Sequence, residues 1–181
     1  MSTTGKKVAV LATNGFEDSE LTSPWKALVD AGAIPTMVAP IADSITGKNG
    51  HAQDVDMLVR EAKPYDFDAL LLPGGVVNAD SLRLDHDAVA FARGIFEQHK
   101  PVGVICHGAW ILADADVLAG RTLTSYPSLR TDLTNAGATW VDQEVVVDQG
   151  LVSSRTPDDL PAFNDKLVEE VGEGQHSGQT T

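Results

Sequence analysis

A chain of 181 residues, 43% hydrophobic and 22% charged, suits a single domain that needs no disulfide or metal to hold its core. Its net charge of −13, from 13 basic and 26 acidic side chains, repels phosphate backbones and anionic lipid, which argues against nucleic-acid and membrane partners. One cysteine cannot close an intrachain disulfide, no apolar stretch nears the roughly 20 residues that span a bilayer, and the N-terminus lacks a signal-peptide pattern; a cytoplasmic protein is expected.

Residues 7–12 form a short apolar run ended by Thr13-Asn14-Gly15, which predicts a buried first strand. An acidic segment, Glu17-Asp18-Ser19-Glu20, follows. Ser23-Pro24 then has the form of N-cap and first helical residue, predicting a helix that ends at Gly32. Residues 34–39 are a second strand, and the β–α–β unit points to a parallel sheet. Gly47-Lys48-Asn49-Gly50 suggests the turn of a hairpin outside the main sheet.

Residues 69–72 are a strongly apolar strand ending at Pro73-Gly74-Gly75, and residues 85–99 carry a helical apolar face. Another buried strand, 102–105, runs directly into Cys106-His107-Gly108 and a helical stretch over 109–115. A strand is predicted at 121–124, a helix at 128–136, strands at 144–147 and 151–154, and a last helix at 158–170. The expected organisation is one α/β domain over residues 1–171, an open, mostly parallel sheet with helices on both faces. A polar tail over residues 172–181 is expected to be disordered.

Ligands of such sheets bind outside the carboxyl ends of the strands. Residues 13–20, Gly74-Gly75 and Cys106 all fall there. Ile105-Cys106-His107-Gly108 has the form of a nucleophile elbow with Cys in place of Ser. Backbone N–H groups at a helix start favour a thiolate, so an activated thiol is the functional reading. A buried cysteine acting as a small hydrophobe is the alternative.

Of five histidines, His51 and His176 read as solvated, and His86 and His99 as surface residues at helix ends. His107 adjoins the thiol, yet neighbouring side chains on a helix diverge by about 100°. An unusual backbone at the elbow is needed for the ring to meet the sulfur. Gly75 is suited to offer its N–H to an oxyanion, and Glu17, Asp18 and Glu20 form a carboxylate cluster facing the same crevice. A carboxyl near the thiol would be pushed up by burial and like charge and would donate to the sulfur. Asp85, His86 and Asp87 are consecutive and cannot converge on an ion, so neither metal nor other cofactor is expected.

The ordered set of motifs resembles the PfpI-type intracellular proteases (peptidase C56-like). These belong to a superfamily of flavodoxin-like stress proteins that includes the Parkinson's-disease-associated deglycase and is related to class I glutamine amidotransferases. The matching stretches begin with Gly15-Phe16-Glu17-Asp18-Ser19-Glu20-Leu21, Leu72-Pro73-Gly74-Gly75 and Asp80-Ser81-Leu82-Arg83. They continue through the segment from Lys100 to Gly108, Thr124-Ser125-Tyr126-Pro127, the segment from Asn135 to Asp142, and Ser153-Ser154-Arg155.

The resemblance implies a flavodoxin-like three-layer sandwich and a Cys–His–acid arrangement assembled between subunits. Cys106 would be the nucleophile and His107 its partner. Asp80 would come from a neighbouring chain, at a position where the family's proteases carry the longer Glu. Glu20 matches the carboxyl that bonds the cysteine, and Gly75 and the His107 amide match the anion pocket. Homodimers, sometimes hexamers, are implied. The expected function is a cysteine hydrolase of stress response acting on peptides or on aldehyde-damaged groups. A glutathione-independent glyoxalase and a non-enzymatic redox sensor or chaperone using an oxidisable Cys106 are the alternatives. A class I glutamine amidotransferase is disfavoured, because only His176 follows His107.

Overall fold

Apolar runs too short for a helix are stable only when both faces are covered, and these runs form the centre of the sheet. The computed structural model describes residues 2–179 and 181. The first half of the chain forms β1 (Lys7–Leu11), α1 (Asp18–Asp30), β2 (Ile34–Ala39), β3 (Ser44–Thr46), β4 (Ala52–Asp54), β5 (Met57–Leu58) and β6 (Ala69–Leu72). Then come α2 (Val76–Leu84), α3 (His86–Glu97), β7 (Val102–Ile105), α4 (Trp110–Asp114) and β8 (Thr122–Leu123). The chain continues through α5 (Arg130–Asn135), β9 (Thr139–Trp140), β10 (Val145–Asp148), β11 (Leu151–Ser154) and α6 (Leu160–Glu173).

Seven strands make the main sheet in the order β10-β11-β7-β6-β1-β2-β5, parallel throughout except at the β10–β11 edge. Its five central strands follow the doubly wound order 2-1-3-4-5 of flavodoxin-like folds. Successive side chains of each strand point to opposite faces, so the sheet feeds two cores. On one face Val8, Val10 and Leu71 pack with Leu21 and Leu28 of α1 and Phe163 and Leu167 of α6. On the other, Ala9, Leu70, Leu72 and Val104 pack with helices α2 to α5, including Phe91, Ile95, Phe96 and Leu112. The result is a three-layer, single-domain α/β sandwich. No described helix is long and apolar enough to cross a membrane.

Several elements differ from the sequence expectation. Helix α1 begins at Asp18, not at Ser23, and holds Pro24 in its interior. Proline there removes one N–H from the helical ladder, but buried Glu20, Leu21, Pro24 and Leu28 hold the helix against the sheet. Helix α2 was not foreseen, since its exposed Val76 and Val77 and buried Asn78 invert the usual amphipathic pattern. Residues 47–50 do turn a hairpin, β3–β4, outside the main sheet. Strand β8 also stands apart, paired in parallel with β9.

Beyond α6 the chain folds back where a disordered tail was expected over residues 172–181. Gln175 Nε2 donates to Gln98 O at 3.1 Å, His176 N to His99 O at 2.8 Å, and the Gln179 Nε2 amide to Lys100 O at 3.0 Å. Low apolar content suggested disorder, but amide side chains and backbone satisfy the carbonyls of residues 98–100 instead. Met1 and Thr180 lie outside the described residues.

Candidate active site

Strand β7 ends with extended backbone at Ile105, and Cys106 follows at φ +60°. A non-glycine residue in the left-handed region costs roughly 1–2 kcal/mol, a strain retained only where the surroundings impose it. They do so here. Gly108 lies so close to the end of β6 that a Cβ on it would sit 2.8 Å from Pro73 O. The bend supplies the unusual backbone that the elbow requires: it swings the neighbouring side chains together, and Cys106 Sγ lies 3.3 Å from His107 Nδ1.

The early start of α1 puts Glu20 on its first turn, fully buried, where Oε2 accepts from Gly74 N at 2.9 Å. The carboxyl also bonds the Cys106 side chain. Burial, with Glu17 close by, pushes Glu20 up to about 8, so it holds its proton at neutral pH. Burial and the facing Glu20 likewise push the Cys106 thiol up to about 12, although the N–H groups of His107 and Gly75 point at the sulfur and pull the other way. The expectation of an activated thiolate at rest is therefore corrected. The helix that follows the elbow, α4, starts only at Trp110 and spans five residues, and desolvation outweighs what its N-terminus and the two amides supply.

Gly75 reaches its position only as glycine, at φ +94°, with Glu17 N 2.7 Å from where a Cβ would lie. Buried Asn78 ties this loop to β1. Its Oδ1 accepts from Thr13 N at 2.7 Å, and its Nδ2 donates to Pro73 O and Gly74 O at 3.1 and 3.0 Å.

The His107 ring is buried, which holds its pKa below the usual imidazole value and keeps it neutral. It stacks on Tyr126 with centroids 4.6 Å apart, and its Nε2 lies 3.2 Å from Ser128 Oγ. With the ring proton on Nε2 and donated to Ser128, Nδ1 is free to accept the thiol proton. Asp80 is elsewhere. It lies exposed on α2, and its side chain makes no hydrogen bond or ion pair among the described residues. Within one chain, Ser128 and not Asp80 completes the histidine's contacts.

Glu20, Gly75, Cys106 and His107 line a cavity of about 510 Å³ whose remaining wall includes Val76, Val77, Tyr126 and Pro157. At its edge Lys48 pairs with Glu17. The β3–β4 hairpin that carries Lys48 is held by Asp18, which accepts from Asn49 N at 2.9 Å and His51 N at 2.8 Å. Sequence reasoning singled out Cys106, His107, Glu20 and Gly75, and the structure places all four around one cavity. It did not single out Lys48, Asn78 or Ser128. Tyr126 lay inside a quoted motif without a role, and its place directly before a proline-led turn was the signal available.

The model of the DJ-1/PfpI family matches residues 6–170. The chain is 48% identical over 160 residues to "Putative cysteine protease YraA" of Bacillus subtilis, covering 88% of this chain and 94% of that protein. It is 47% identical over 171 residues to a protein of Staphylococcus saprophyticus, covering 93% and 99%. Among solved structures, a two-domain protein of Anabaena variabilis with DJ-1/ThiJ/PfpI-like and ferritin-like domains superposes with a TM-score of 0.89 at 32% identity. That match spans 97% of this chain and 50% of the other. Drosophila melanogaster DJ-1beta gives 0.86 at 26% identity, covering 93% and 91%. With nearly its whole length matched by the family model and by close relatives, this chain belongs to the DJ-1/PfpI family.

Proposed function

We propose that this protein is a cysteine-dependent hydrolase of stress response acting on peptides or on aldehyde-modified amines and thiols. The observation that carries the reading is the strained Cys106, whose Sγ meets a neutral His107 and two backbone N–H groups at the wall of a cavity. Attack on a carbonyl carbon moves the thiol proton to His107 Nδ1 as the S–C bond forms. The oxyanion is suited to accept from the Gly75 and His107 N–H groups. With a peptide substrate, protonation of the leaving amine by His107 breaks the C–N bond, and water then hydrolyses the thioester and restores the thiol. Because the resting thiol is neutral, deprotonation is coupled to attack rather than completed beforehand.

In this reading the protein acts as a homodimer or hexamer in the cytoplasm, with Asp80 of the partner subunit orienting His107. The exposed Val76, Val77, Asp80 and Leu84 of α2 support a face covered by a second copy. The name of the Bacillus subtilis relative supports the protease branch.

A second reading is favoured by Glu20. A protonated carboxyl against the sulfur suits an oxidation sensor, in which hydrogen peroxide converts the thiol to sulfenic acid and water, and a second equivalent gives sulfinic acid. Turnover of a fluorogenic peptide and of methylglyoxal-modified cysteine and lysine tests the hydrolase. Cys106→Ser should abolish both, and unchanged turnover would refute it. Lactate formed from free methylglyoxal without glutathione would indicate a glyoxalase instead. Peroxide treatment followed by intact mass tests the sensor, which fails if Cys106 gains no oxygen.

A further inference from the structure

A second cluster of ionisable groups lies at the end of α6, where Glu170 and Glu173, three residues apart, share a helix face. Gly174, at φ +86° and ψ −138°, then reverses the chain, and the His176 N–H bond to His99 O brings the imidazole back over the last turn. His176 Nε2 lies 3.0 Å from Glu170 Oε2 and 4.0 Å from Glu173 Oε2. One ligand atom from each of the three residues falls within 4.8 Å of the other two.

Two further observations suit a cation at this cluster. Glu170 is only 6% exposed, and its Oε2 and the buried His176 Nε2, 3.0 Å apart and an ion pair only when the ring is protonated, are not aligned for a hydrogen bond. Lone-pair atoms so placed, without an aligned hydrogen, suit an ion between them. The last turn of α6 also carries no basic residue while holding Glu170 and Glu173 at the negative end of the helix dipole, where cations are favoured. Lys166 is engaged with Glu169 at 2.6 Å.

We propose that Glu170, Glu173 and His176 bind a divalent transition-metal ion of the zinc class, with water completing its shell. Tetrahedral donors roughly 2.1 Å from an ion lie about 3.4 Å apart, between the 3.0 and 4.0 Å that separate His176 Nε2 from the two carboxylates. An imidazole with two carboxylates selects zinc-like ions over magnesium or calcium, which prefer oxygen alone. The ion is structural. It fastens the C-terminal segment to α6 and, through the bonds of residues 175–179 to residues 98–100, to the start of β7. Cys106 follows the other end of that strand, so the two sites are separate.

The test is calorimetric titration of Zn²⁺ into the full-length Cys106→Ala protein after EDTA treatment, which removes the competing thiol. One site per chain is expected, with the His176 ring resonances shifted in NMR spectra and no comparable effect of Mg²⁺. Free Zn²⁺ about a hundredfold above its Kd should raise Tm by roughly 5–10 °C. His176→Ala and Glu173→Gln alter partly exposed positions and should each weaken binding about tenfold or more, since losing even an outer partner of a metal site costs about 10–100-fold. Absence of binding, unchanged affinity in both variants, or binding that leaves the His176 resonances unmoved would each overturn the proposal.

Discussion

Glu20→Gln removes a titratable group while keeping its shape and its acceptor for Gly74 N. In the folded chain burial raises Glu20 from the ordinary 4.5 to about 8, whereas in the unfolded chain it titrates normally. The folded state therefore binds the proton more tightly. Its contribution to stability is fully present below about pH 4.5 and is lost as pH rises through 8. Between pH 5 and pH 8 the loss amounts to about 3–4 kcal/mol. Urea unfolding of both proteins at pH 5, 6.5 and 8 measures it. The wild-type minus Glu20→Gln difference should fall by that amount across the range, because the net charge of −13 and the other titrating groups differ little between them. Alkylation of Cys106 by iodoacetamide at pH 8 should also quicken in the variant, since the like charge that helps hold the thiol up to about 12 is gone. A stability difference that stays flat from pH 5 to pH 8 would refute a protonated Glu20.

Ser128→Ala leaves His107 Nε2 without its partner at 3.2 Å and should lower kcat roughly tenfold at unchanged Tm, the worth of one hydrogen bond to a catalytic imidazole. Unchanged kcat on the peptide substrate would show that another group orients the ring. Asn78→Ala breaks three buried hydrogen bonds between the ends of β1 and β6 and should cost about 2–4 kcal/mol in urea unfolding. A loss below about 1 kcal/mol would mean that the loop is held by its other contacts.

The strands at residues 69–72, 102–105 and 151–154 were legible because a short apolar run between turn signals has few other fates. The site was legible for the same reason: topology alone brings the carboxyl ends of β1, β6 and β7 together, and with them Glu20, Gly75 and Cys106. Local rules failed where tertiary packing decides. Ser23-Pro24 has every mark of a helix start, but the buried Glu20 and Leu21 extend α1 by more than a turn ahead of it. Helix α2 hides its character because the polar Asn78 goes fully inside with Ala79 and Leu82, while Val76 and Val77 stay exposed. The direction of the thiol's shift was equally invisible. Amides near a helix start can be counted along the chain, whereas desolvation depends on α1 and Gly74 closing over the sulfur. His176 was read as solvated because nothing in a Gly- and Gln-rich tail reports that Gly174 turns it back onto α6.

Burial leaves all three ionisable side chains at the thiol on their neutral side, Glu20 and Cys106 by raising them and His107 by lowering it. A site with no standing thiolate is protected from indiscriminate electrophiles. In the proposed mechanism it reacts with a molecule that enters the cavity and draws the proton from sulfur to His107 Nδ1 as it is attacked. Hydrolysis and peroxide oxidation share that first proton transfer and differ in the second step. An acyl intermediate places its negative charge on a carbonyl oxygen, near the Gly75 and His107 N–H groups, and leaves the Glu20 carboxyl idle. A sulfinate places its charge on oxygens attached to Sγ itself, beside the protonated Glu20 carboxyl that already bonds the Cys106 side chain. Burying a protonated carboxyl against the sulfur therefore contributes little to acyl transfer and much to holding an oxidised cysteine. One strained residue can serve both reactions because separate groups stabilise the two charges.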